Sequence, residues 1–431
     1  MQSIWQAETS MPEFPPLRGD VKTEVLIIGG GITGILTAYF LQKQGTPYIL
    51  VEKDRLCGGT TGKTTAKITY QHGLIYSRLF NSLGGEKARA YLEANKKAFE
   101  ALSELCKKIP CDHEIKDNYV YSLNRRSVLE KEMAALDKIG YRAKLCSDIP
   151  LPFANAGAVC FPKQAQFNPL KFLAGISKDL NIFEHTFVRE MQGNTAVTDM
   201  SRIRAEKVIA ATHFPFINKH GSYFLKLYQH RSYMLALENA PDLHGMYVDE
   251  DKKGMTFRNY GNYLILGGGG SRTGKNCGGW ETLRSFAKEK YPVSKEKYHW
   301  AAQDCMSLDG MPYIGQYSSR TAGFYTACGF NKWGMTGSML AAMLLSDAAA
   351  DNYNVYAKLF SPSRSIFTPQ LFANSFEAAA NLISPSKKRC PHLGCALKWN
   401  AAEHSWDCPC HGSRFSKDGK VLDNPANGNL R

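Results

Sequence analysis

The sequence has few of the features that would direct a protein to a membrane or out of the cell. Hydrophobic residues make up 44% of the 431 residues, but the most apolar segments, 25–41 and 335–350, are interrupted by Gly and Thr or are too short to cross a bilayer. The first twenty residues lack the basic and apolar regions of a secretory signal. We therefore expect a cytoplasmic globular protein, long enough for two or three domains.

The chain also lacks the interleaved basic and aromatic residues that a nucleic-acid platform would need. It is nevertheless basic, with 53 Lys and Arg against 39 Asp and Glu, a formal net charge of +14. A solvated Lys-rich surface explains this excess, and so does docking of an acidic electron-transfer protein or attraction to anionic lipid. The charge leaves these alternatives open.

Cysteines are scattered over most of the chain and crowded only at its end. Eight of the twelve lie singly between residues 57 and 328, as buried thiols usually do. The other four occupy positions 390, 395, 408 and 410. Their crowding marks the tail as a separate site.

The first motif that is present predicts a dinucleotide site. The apolar run 25–28 predicts a buried strand, and Gly29, Gly31 and Gly34 follow it at G-x-G-x-x-G spacing. These glycines permit the tight turn, the approach of a pyrophosphate and the close packing of the following helix. A second strand, 48–51, ends at Glu52, whose carboxylate can bind ribose hydroxyls.

A second small-residue segment, 57–67, follows that acidic residue and suits a backbone lying along a ribityl chain. Here the sequence resembles the D-amino-acid oxidase and glycine/sarcosine oxidase superfamily of FAD enzymes. In that superfamily the loop corresponding to 329–334 and the next helix lie at the pyrimidine end of the flavin, where backbone N–H groups stabilise negative charge. The resemblance implies that FAD contacts Gly29, Gly31, Ile32, Thr33, Gly34, Glu52, Lys53, Thr60, Thr61, Thr64, Thr65, Gly329, Asn331, Gly334, Met335 and Thr336.

Two further segments bear on the cofactor. Residues 208–212 resemble the V-x-A-T-G segment of such flavoproteins, with Thr212 retained and His213 in place of the usual Gly. The glycine run 267–274 lacks a following apolar helix, so we predict a loop near the flavin ring and no NAD(P)H site.

The tail carries the most specific pattern. Cys390 and His392 form C-x-H, Cys408 and His411 form C-x-x-H, and fifteen residues separate the two motifs. This spacing matches a Rieske [2Fe-2S] centre with two Cys on one iron and two His on the other. A Cys₂His₂ zinc site is the alternative.

The resemblance to Rieske proteins implies more about the tail. Rieske proteins of respiratory complexes carry a disulfide at the positions of Cys395 and Cys410. They also have several strands before the first cluster loop, whereas here five residues separate Ser384 from Cys390. We expect a reduced unit that completes its core against the flavoprotein or a partner.

The fold class follows from these parts: a two-dinucleotide-type, Rossmann-like α/β FAD domain, an interleaved antiparallel-sheet substrate domain and a short Rieske unit. The FAD domain is predicted over 21–86, 147–220 and 300–352, and the substrate domain over 87–146 and 221–299. Residues 353–383 are predicted to form a connector, and 384–431 the Rieske unit.

The combined resemblance implies an FAD-dependent oxidoreductase that oxidises a small amine or amino acid and exchanges single electrons with a partner through the cluster. The sequence nominates no catalytic base. Residues Arg231, Tyr233, Tyr263 and Arg272 could hold a substrate carboxylate or serve the structure, and Cys305 resembles the residue bonded to flavin in sarcosine oxidases.

Two alternatives remain at this stage. In the first, the chain is a non-catalytic electron carrier or redox sensor. The second is a Rieske oxygenase, which would need a 2-His-1-carboxylate iron site, and the sequence has no H-x₄-H pair.

Overall fold

A computed structural model describes residues 2–217, 220–251 and 253–430. The helices are α1 (Ile4–Glu8), α2 (Ile32–Gln44), α3 (Ile75–Leu83), α4 (Gly85–Lys108), α5 (Arg126–Lys138), α6 (Pro169–Ile176), α7 (Tyr223–Lys226), α8 (Gly279–Lys290), α9 (Gly334–Ala349), α10 (Ala357–Phe360) and α11 (Pro369–Ile383), with a 3₁₀ turn at Thr60–Lys63. The strands are β1 (Val21–Ile28), β2 (Tyr48–Val51), β3 (Lys67–Ile68), β4 (Glu114–Tyr121), β5 (Lys144–Cys146), β6 (Ala158–Gln166), β7 (Ile182–Phe183), β8 (Glu190–Gln192), β9 (Thr195–Val197), β10 (Arg202–Ala210), β11 (Leu227–Glu238), β12 (Gly245–Asp249), β13 (Thr256–Tyr260), β14 (Tyr263–Arg272), β15 (Lys295–Ser307), β16 (Tyr313–Gln316), β17 (Phe324–Cys328), β18 (Lys398–Asn400), β19 (Ser405–Asp407), β20 (Arg414–Ser416) and β21 (Val421–Asp423).

The first sheet has the strand order β16-β17-β10-β1-β2-β7, with β8 and β9 attached beside β10. Strand β1 lies at its centre and pairs in parallel with β10 and β2. Its last four residues, 25–28, are buried, which explains their unbroken apolar sequence. Helices α2 and α9 pack on this sheet, so the N-termini of both helices open on the same edge.

The second sheet has the order β15-β11-β14-β13-β12-β4-β6-β3, with β5 beside β6. Its pairs are antiparallel except β12 with β4. One face packs against α8 around Trp280 and Leu283. This is the predicted interleaved sheet.

The second sheet includes strands that lie outside the segments predicted for the substrate domain. Strands β3 and β6 lie in segments predicted for the FAD domain, and β15 crosses the predicted boundary at residue 300. Each of these strands pairs with a long-range partner, and no local pattern reveals such pairing. The glycine run 267–274 is also not a loop, since β14 continues to Arg272.

A third sheet, β18-β19-β20-β21, forms the C-terminal unit. The segment that precedes it, predicted as a short helical or irregular connector, contains the 15-residue helix α11. Thr368 caps this helix by accepting a hydrogen bond from the Leu371 N–H, and Pro369 occupies its first turn.

Candidate cofactor sites

A cavity of about 970 Å³ lies between the first two sheets and extends to the C-terminal unit. Its walls include the glycine loop after β1, the 3₁₀ turn and the start of α9. Residues 420–424, 426 and 427 of the C-terminal unit close one side. Parts of the chain that are far apart in sequence therefore share this cavity.

The glycines after β1 play different roles. A Cβ at Gly34 would overlap the carbonyl oxygen of Gly29, so Gly34 is required for helix packing and does not line the cavity. Gly29 has φ +114°, a conformation that favours glycine. A Cβ at Gly31 would meet only the Thr61 hydroxyl, at 3.2 Å, which leaves this backbone open to the cavity. That opening fits a bound pyrophosphate.

Glu52 stands at the end of β2, where the predicted ribose contact would lie. Its carboxylate accepts hydrogen bonds from the N–H groups of Gly30, at 2.7 Å, and Asp54, at 3.0 Å. Burial raises the pKa of Glu52. These bonds fix the carboxylate beside the glycine loop.

Side chains from other parts of the chain form hydrogen bonds to the backbone of the second small-residue segment. Trp5 donates to the Thr64 carbonyl at 2.7 Å, and Trp300 donates to the Lys63 carbonyl at 3.0 Å. The buried guanidinium of Arg258 donates to the carbonyls of Thr65 and Ala66. No local sequence pattern identifies these three side chains, because they come from other parts of the chain.

Most of the sequence-predicted FAD contacts come together around this cavity, and their contact with FAD stays a prediction. Those that line it are Gly29, Gly31, Ile32, Thr33, Glu52, Lys53, Thr60, Thr61, Thr64, Thr65, Asn331, Gly334 and Met335. Gly34, Gly329 and Thr336 do not line it. Gly329 packs under Leu227 and Ser307, and the Thr336 hydroxyl accepts a hydrogen bond from the Thr69 N–H.

The segment after β10 also reaches the cavity, through Thr212 and His213. His213 has φ +66°, the left-handed conformation that glycine would favour at this position. A histidine in place of the usual glycine therefore keeps the turn and adds a ring to the cavity wall.

The four residues considered as carboxylate holders are not among those that line the cavity. Arg231 pairs with Glu403, and Arg272 binds backbone carbonyls of the C-terminal unit. The Tyr233 hydroxyl accepts a hydrogen bond from Asn400, and the Tyr263 ring packs on Tyr298. They occupy strands whose side chains at these positions face other elements.

Other polar side chains do face the cavity on the side of the second sheet. Arg78, on α3, lines it and forms no ion pair with any described residue. Lys67 donates to the Tyr247 carbonyl and to Thr256, and burial beside Arg258 lowers its pKa well below the usual range. Cys305 also lines the cavity, and burial raises the pKa of its thiol.

The predicted iron ligands come together between two loops of the C-terminal unit. Cys390, Cys408 and His411 are buried, and the rings of His392 and His411 lie 5.0 Å apart. The Cys390 and Cys408 thiols lie within hydrogen-bonding reach of each other, and this contact lowers the pKa of Cys390 to about 7 and raises the pKa of Cys408 well above its usual value. Burial lowers the pKa of His392 to about 4. Thiolate and neutral imidazole are the forms that bind iron.

His411 provides a direct test of whether a metal group fits here. Its Nδ1 atom is buried and has no hydrogen-bond partner in the part of the chain that the structure describes. Burial, with His392 nearby, lowers the pKa of His411 to about 3, so the ring nitrogen is available as a ligand. The donor set therefore fits a [2Fe-2S] cluster of Rieske type.

The surroundings of these ligands hold the two loops together. A disulfide joins Cys395 to Cys410, with Cα atoms 6.7 Å apart. The Ser413 hydroxyl lies within hydrogen-bonding reach of Cys390 and accepts from the Ala426 N–H at 3.0 Å. Phe415 is buried in the same cluster of side chains as the cysteines.

The C-terminal unit packs against the second sheet of its own chain. The Arg272 guanidinium donates to the carbonyls of Pro409 and Cys410 at 2.9 and 3.0 Å. Gln303 donates to the Gly412 carbonyl at 2.9 Å. The sequence left open whether this surface belongs to the chain or to a partner, and the structure places it on the chain itself.

Comparison with known proteins assigns the two parts. A family model described as FAD dependent oxidoreductase matches residues 24–348, about three quarters of the chain. The chain belongs to the FAD-dependent oxidoreductase family. A second model, the Rieske [2Fe-2S] domain, matches residues 379–431 and decides against the zinc alternative. The cofactors of this flavoprotein are therefore FAD and a [2Fe-2S] cluster.

A relative matches this chain along nearly its whole length. The flavoprotein is 33% identical to YhfW of Bacillus subtilis (strain 168), named as a Rieske 2Fe-2S iron-sulfur protein, over 99% of this chain and 96% of the relative.

Solved structures agree on the fold. Glycine oxidase from Geobacillus kaustophilus superposes with a TM-score of 0.68 at 19% identity, covering 80% of this chain and 99% of that one. L-proline dehydrogenase from P. horikoshii gives a TM-score of 0.67 at 16% identity, covering 80% and 98%. At these identities the likeness establishes the fold alone. No helix within the described ranges is both long and apolar enough to span a bilayer.

Proposed function

We propose that this flavoprotein oxidises a small amine or amino acid at FAD and passes the electrons singly through its Rieske cluster to a partner. One observation carries the internal route: three consecutive residues join the two sites. Thr212 and His213 line the flavin cavity, while the Phe214 ring lies 6.3 and 6.4 Å from the rings of His392 and His411.

The contact between these sites is braced from the cluster side. Asn424 lines the cavity and donates hydrogen bonds to the carbonyls of Thr212, at 2.8 Å, and Phe214, at 3.1 Å. The Phe224 ring covers the other side of His411 at 6.3 Å. These contacts hold the histidine ligands against the flavin-binding part and keep the two sites at a fixed separation.

FAD, when bound, accepts two electrons as a hydride, whereas a [2Fe-2S] cluster exchanges one at a time. The chain's own residues supply position and charge. The N-termini of α2 and α9 face the cavity with the positive ends of their helix dipoles. Buried hydrogen bonds hold the second small-residue segment in place. Amine oxidation by hydride transfer needs such orientation more than a strong base.

The substrate class rests on Arg78. Its solvent-exposed side chain lines the cavity and forms no salt bridge with a described carboxylate, and a substrate carboxylate would supply one. The proteins with the same fold include a glycine oxidase and an L-proline dehydrogenase, both of which act on amino acids by their names. An amino acid or N-substituted amino acid is therefore the preferred substrate.

The test is anaerobic mixing of the purified protein with a panel of amines and amino acids, followed by absorbance and EPR. A substrate should bleach the flavin and then produce the EPR signal of the reduced cluster. Bleaching without that signal would contradict the internal route. A panel that bleaches nothing would favour the alternative of an electron carrier or redox sensor.

The variant Arg78→Met tests the proposed substrate class independently of the proposed electron route. We expect KM for an amino acid to rise by about 10- to 100-fold, because a charge-assisted hydrogen bond is lost, and KM for an amine without a carboxylate to stay unchanged. Arg89→Met, on the neighbouring helix α4 and outside the cavity lining, is the control. An equal effect on both substrates would remove Arg78 from carboxylate binding.

A further inference from the structure

Helix α11 directs its polar side inward and its apolar side to solvent, the reverse of an ordinary surface helix. Asn374 and Asn381 are only 4% and 7% exposed, whereas Phe372, Phe376 and Ile383 are 70%, 76% and 84% exposed. The most apolar side chains of the helix are therefore exposed to solvent.

The polar side of α11 is used for attachment. Asn374 accepts a hydrogen bond from Arg272 at 2.8 Å, and Glu377 forms an ion pair with Lys275 at 2.7 Å. The Asn381 carbonyl accepts from the Ala396 N–H in the first cluster loop. These contacts fix the helix to the rest of the protein and set which of its sides faces solvent.

The exposed side forms one continuous surface, which we call the α11 apolar face and define by Phe372, Phe376, Ala379, Ala380 and Ile383. At 100° per residue, the three large side chains fall within about 40° of one another and extend over roughly 17 Å of helix. The exposed Phe367 and Leu382 lie at the two ends of the helix. Exposed apolar surface of this extent marks a docking site.

The exposed charged side chains of the C-terminal part of the chain have one predominant sign. Among the described residues between 361 and 430, Asp418 is the single exposed acidic residue. The exposed basic side chains in the same span are Lys387, Lys388, Arg389, Lys398, Lys417 and Lys420. The first three directly follow the helix, so an anionic surface would be attracted to the end of the apolar face.

We propose that the α11 apolar face inserts into the interface of an anionic lipid bilayer. An in-plane helix with phenylalanines on one side and basic residues at its border is typical of membrane-surface binding. A protein partner would be recognised through hydrogen bonds spaced over its interface, and Ser375 is the one exposed residue of the helix with a polar side chain. Lipid requires no such donors. This attachment does not depend on the proposed substrate.

The test is co-sedimentation of the holoprotein with vesicles of phosphatidylcholine alone or mixed with phosphatidylglycerol. We expect binding to the mixed vesicles that weakens with added salt. The double variant Phe372→Ser/Phe376→Ser should lower the partition coefficient by at least about tenfold, since two large apolar side chains are lost. Val293→Ser, an equally exposed apolar residue elsewhere, should not change it.

Three results of these binding measurements would overturn the proposal. These are no binding to mixed vesicles, equal binding by the double variant, and a dimer in light scattering that the double variant dissociates, which would assign the face to a second copy. Retention of the flavin and cluster absorbance checks that the double variant folds. Phe376→Trp gives an independent readout, because its emission should shift to shorter wavelength when mixed vesicles are added, and an unchanged spectrum counts against insertion.

Discussion

Among single residues, the glycines after β1 set how closely a phosphate can approach the backbone. Gly31 is open to the cavity, whereas Gly34 is packed against the Gly29 carbonyl. A side chain at each position would therefore disturb FAD binding in a different way. The first would occupy the phosphate position and the second would push α2 away from β1.

We expect Gly31→Asp and Gly34→Val to yield protein without FAD, since one adds a carboxylate facing a phosphate and the other breaks helix packing. The ratio of flavin to protein absorbance measures the loss. Gly428→Asp, where a side chain meets open space, should keep stoichiometric flavin. Flavin retained in both loop variants would remove this loop from the site.

The residues near the cluster tune its potential through hydrogen bonds to sulfur. High-potential Rieske proteins supply a Ser and a Tyr hydroxyl, and this chain has Ser413 but Phe415 at the corresponding positions. The structure places the Ser413 hydroxyl near Cys390 and buries Phe415 among the cysteines. One donor is present and the other is missing.

Ser413→Ala should lower the midpoint potential by roughly 40 mV, the equivalent of one hydrogen bond of about 1 kcal/mol in a one-electron couple. Phe415→Tyr should raise it. Redox titration followed by EPR measures both, and Ser416→Ala, at the end of β20, serves as the control. Unchanged potentials in both variants would mean that these side chains do not face the sulfurs.

Cys305 tests whether the flavin is covalently held. Its thiol is buried in the cavity wall, and burial raises its pKa, which disfavours the reactive thiolate. We expect acid precipitation to leave a colourless pellet with the FAD in the supernatant. A yellow pellet that becomes colourless in Cys305→Ala would establish the bond instead.

Among the elements, β14 links the substrate sheet to the cluster. It begins as an ordinary strand and continues through the glycine run, where a Cβ at Gly270 would overlap the Arg231 carbonyl of β11. This close pairing carries Arg272, the last residue of β14, to the second cluster loop and to α11.

Arg272→Ala should loosen that loop, because two backbone carbonyls and the Asn374 amide lose a charged donor. We expect a loss of about 3 kcal/mol or more, seen as faster bleaching of the cluster by a chelator while flavin is retained. Arg284→Ala, which removes surface ion pairs with Glu281 and Glu296, should cost under about 1 kcal/mol. Equal bleaching rates in the two variants would contradict this role.

Across the whole molecule, a buried charge network joins the substrate sheet to the Rieske unit. Glu403 binds Arg231, on β11, at 2.7 Å and Arg414, on β20, at 2.9 Å. Burial alone would raise the pKa of Glu403, but the two guanidinium groups outweigh it and lower the pKa overall. Asp423, paired with Arg414, is shifted in the same direction.

Carboxyl groups with a lowered pKa contribute stability above their unfolded pKa, near 4, and lose it as the pH falls through the folded pKa. The contribution of this network to the melting temperature should therefore stay constant from pH 7 to about 5 and fall below that. Glu403→Gln should cost about 3–5 kcal/mol at pH 7 and show a weaker acid dependence. Calorimetry between pH 7 and 3 measures both. A Glu403→Gln curve parallel to that of the unsubstituted protein, as expected for the exposed Glu281→Gln, would contradict the role of the network.

The sequence by itself determined the parts whose signal is local. The apolar run before Gly29, the spacing of three glycines and the acidic residue at Glu52 lie within one β-α-β unit, and the structure has that unit. The cysteine and histidine spacing of the tail likewise identified the Rieske unit, because the ligands of one metal centre come from two short loops.

Only the tertiary structure decided what depends on distant partners. Contacts between residues far apart in sequence place β3 and β6 in the second sheet. Such contacts also let Trp5 and Arg258 hold the second small-residue segment, and they turn the polar side of α11 inward. The docking of the Rieske unit on its own chain is of the same kind. Burial, hydrogen bonding and ion pairing are properties of neighbours in space, and the local pattern of a chain does not contain them.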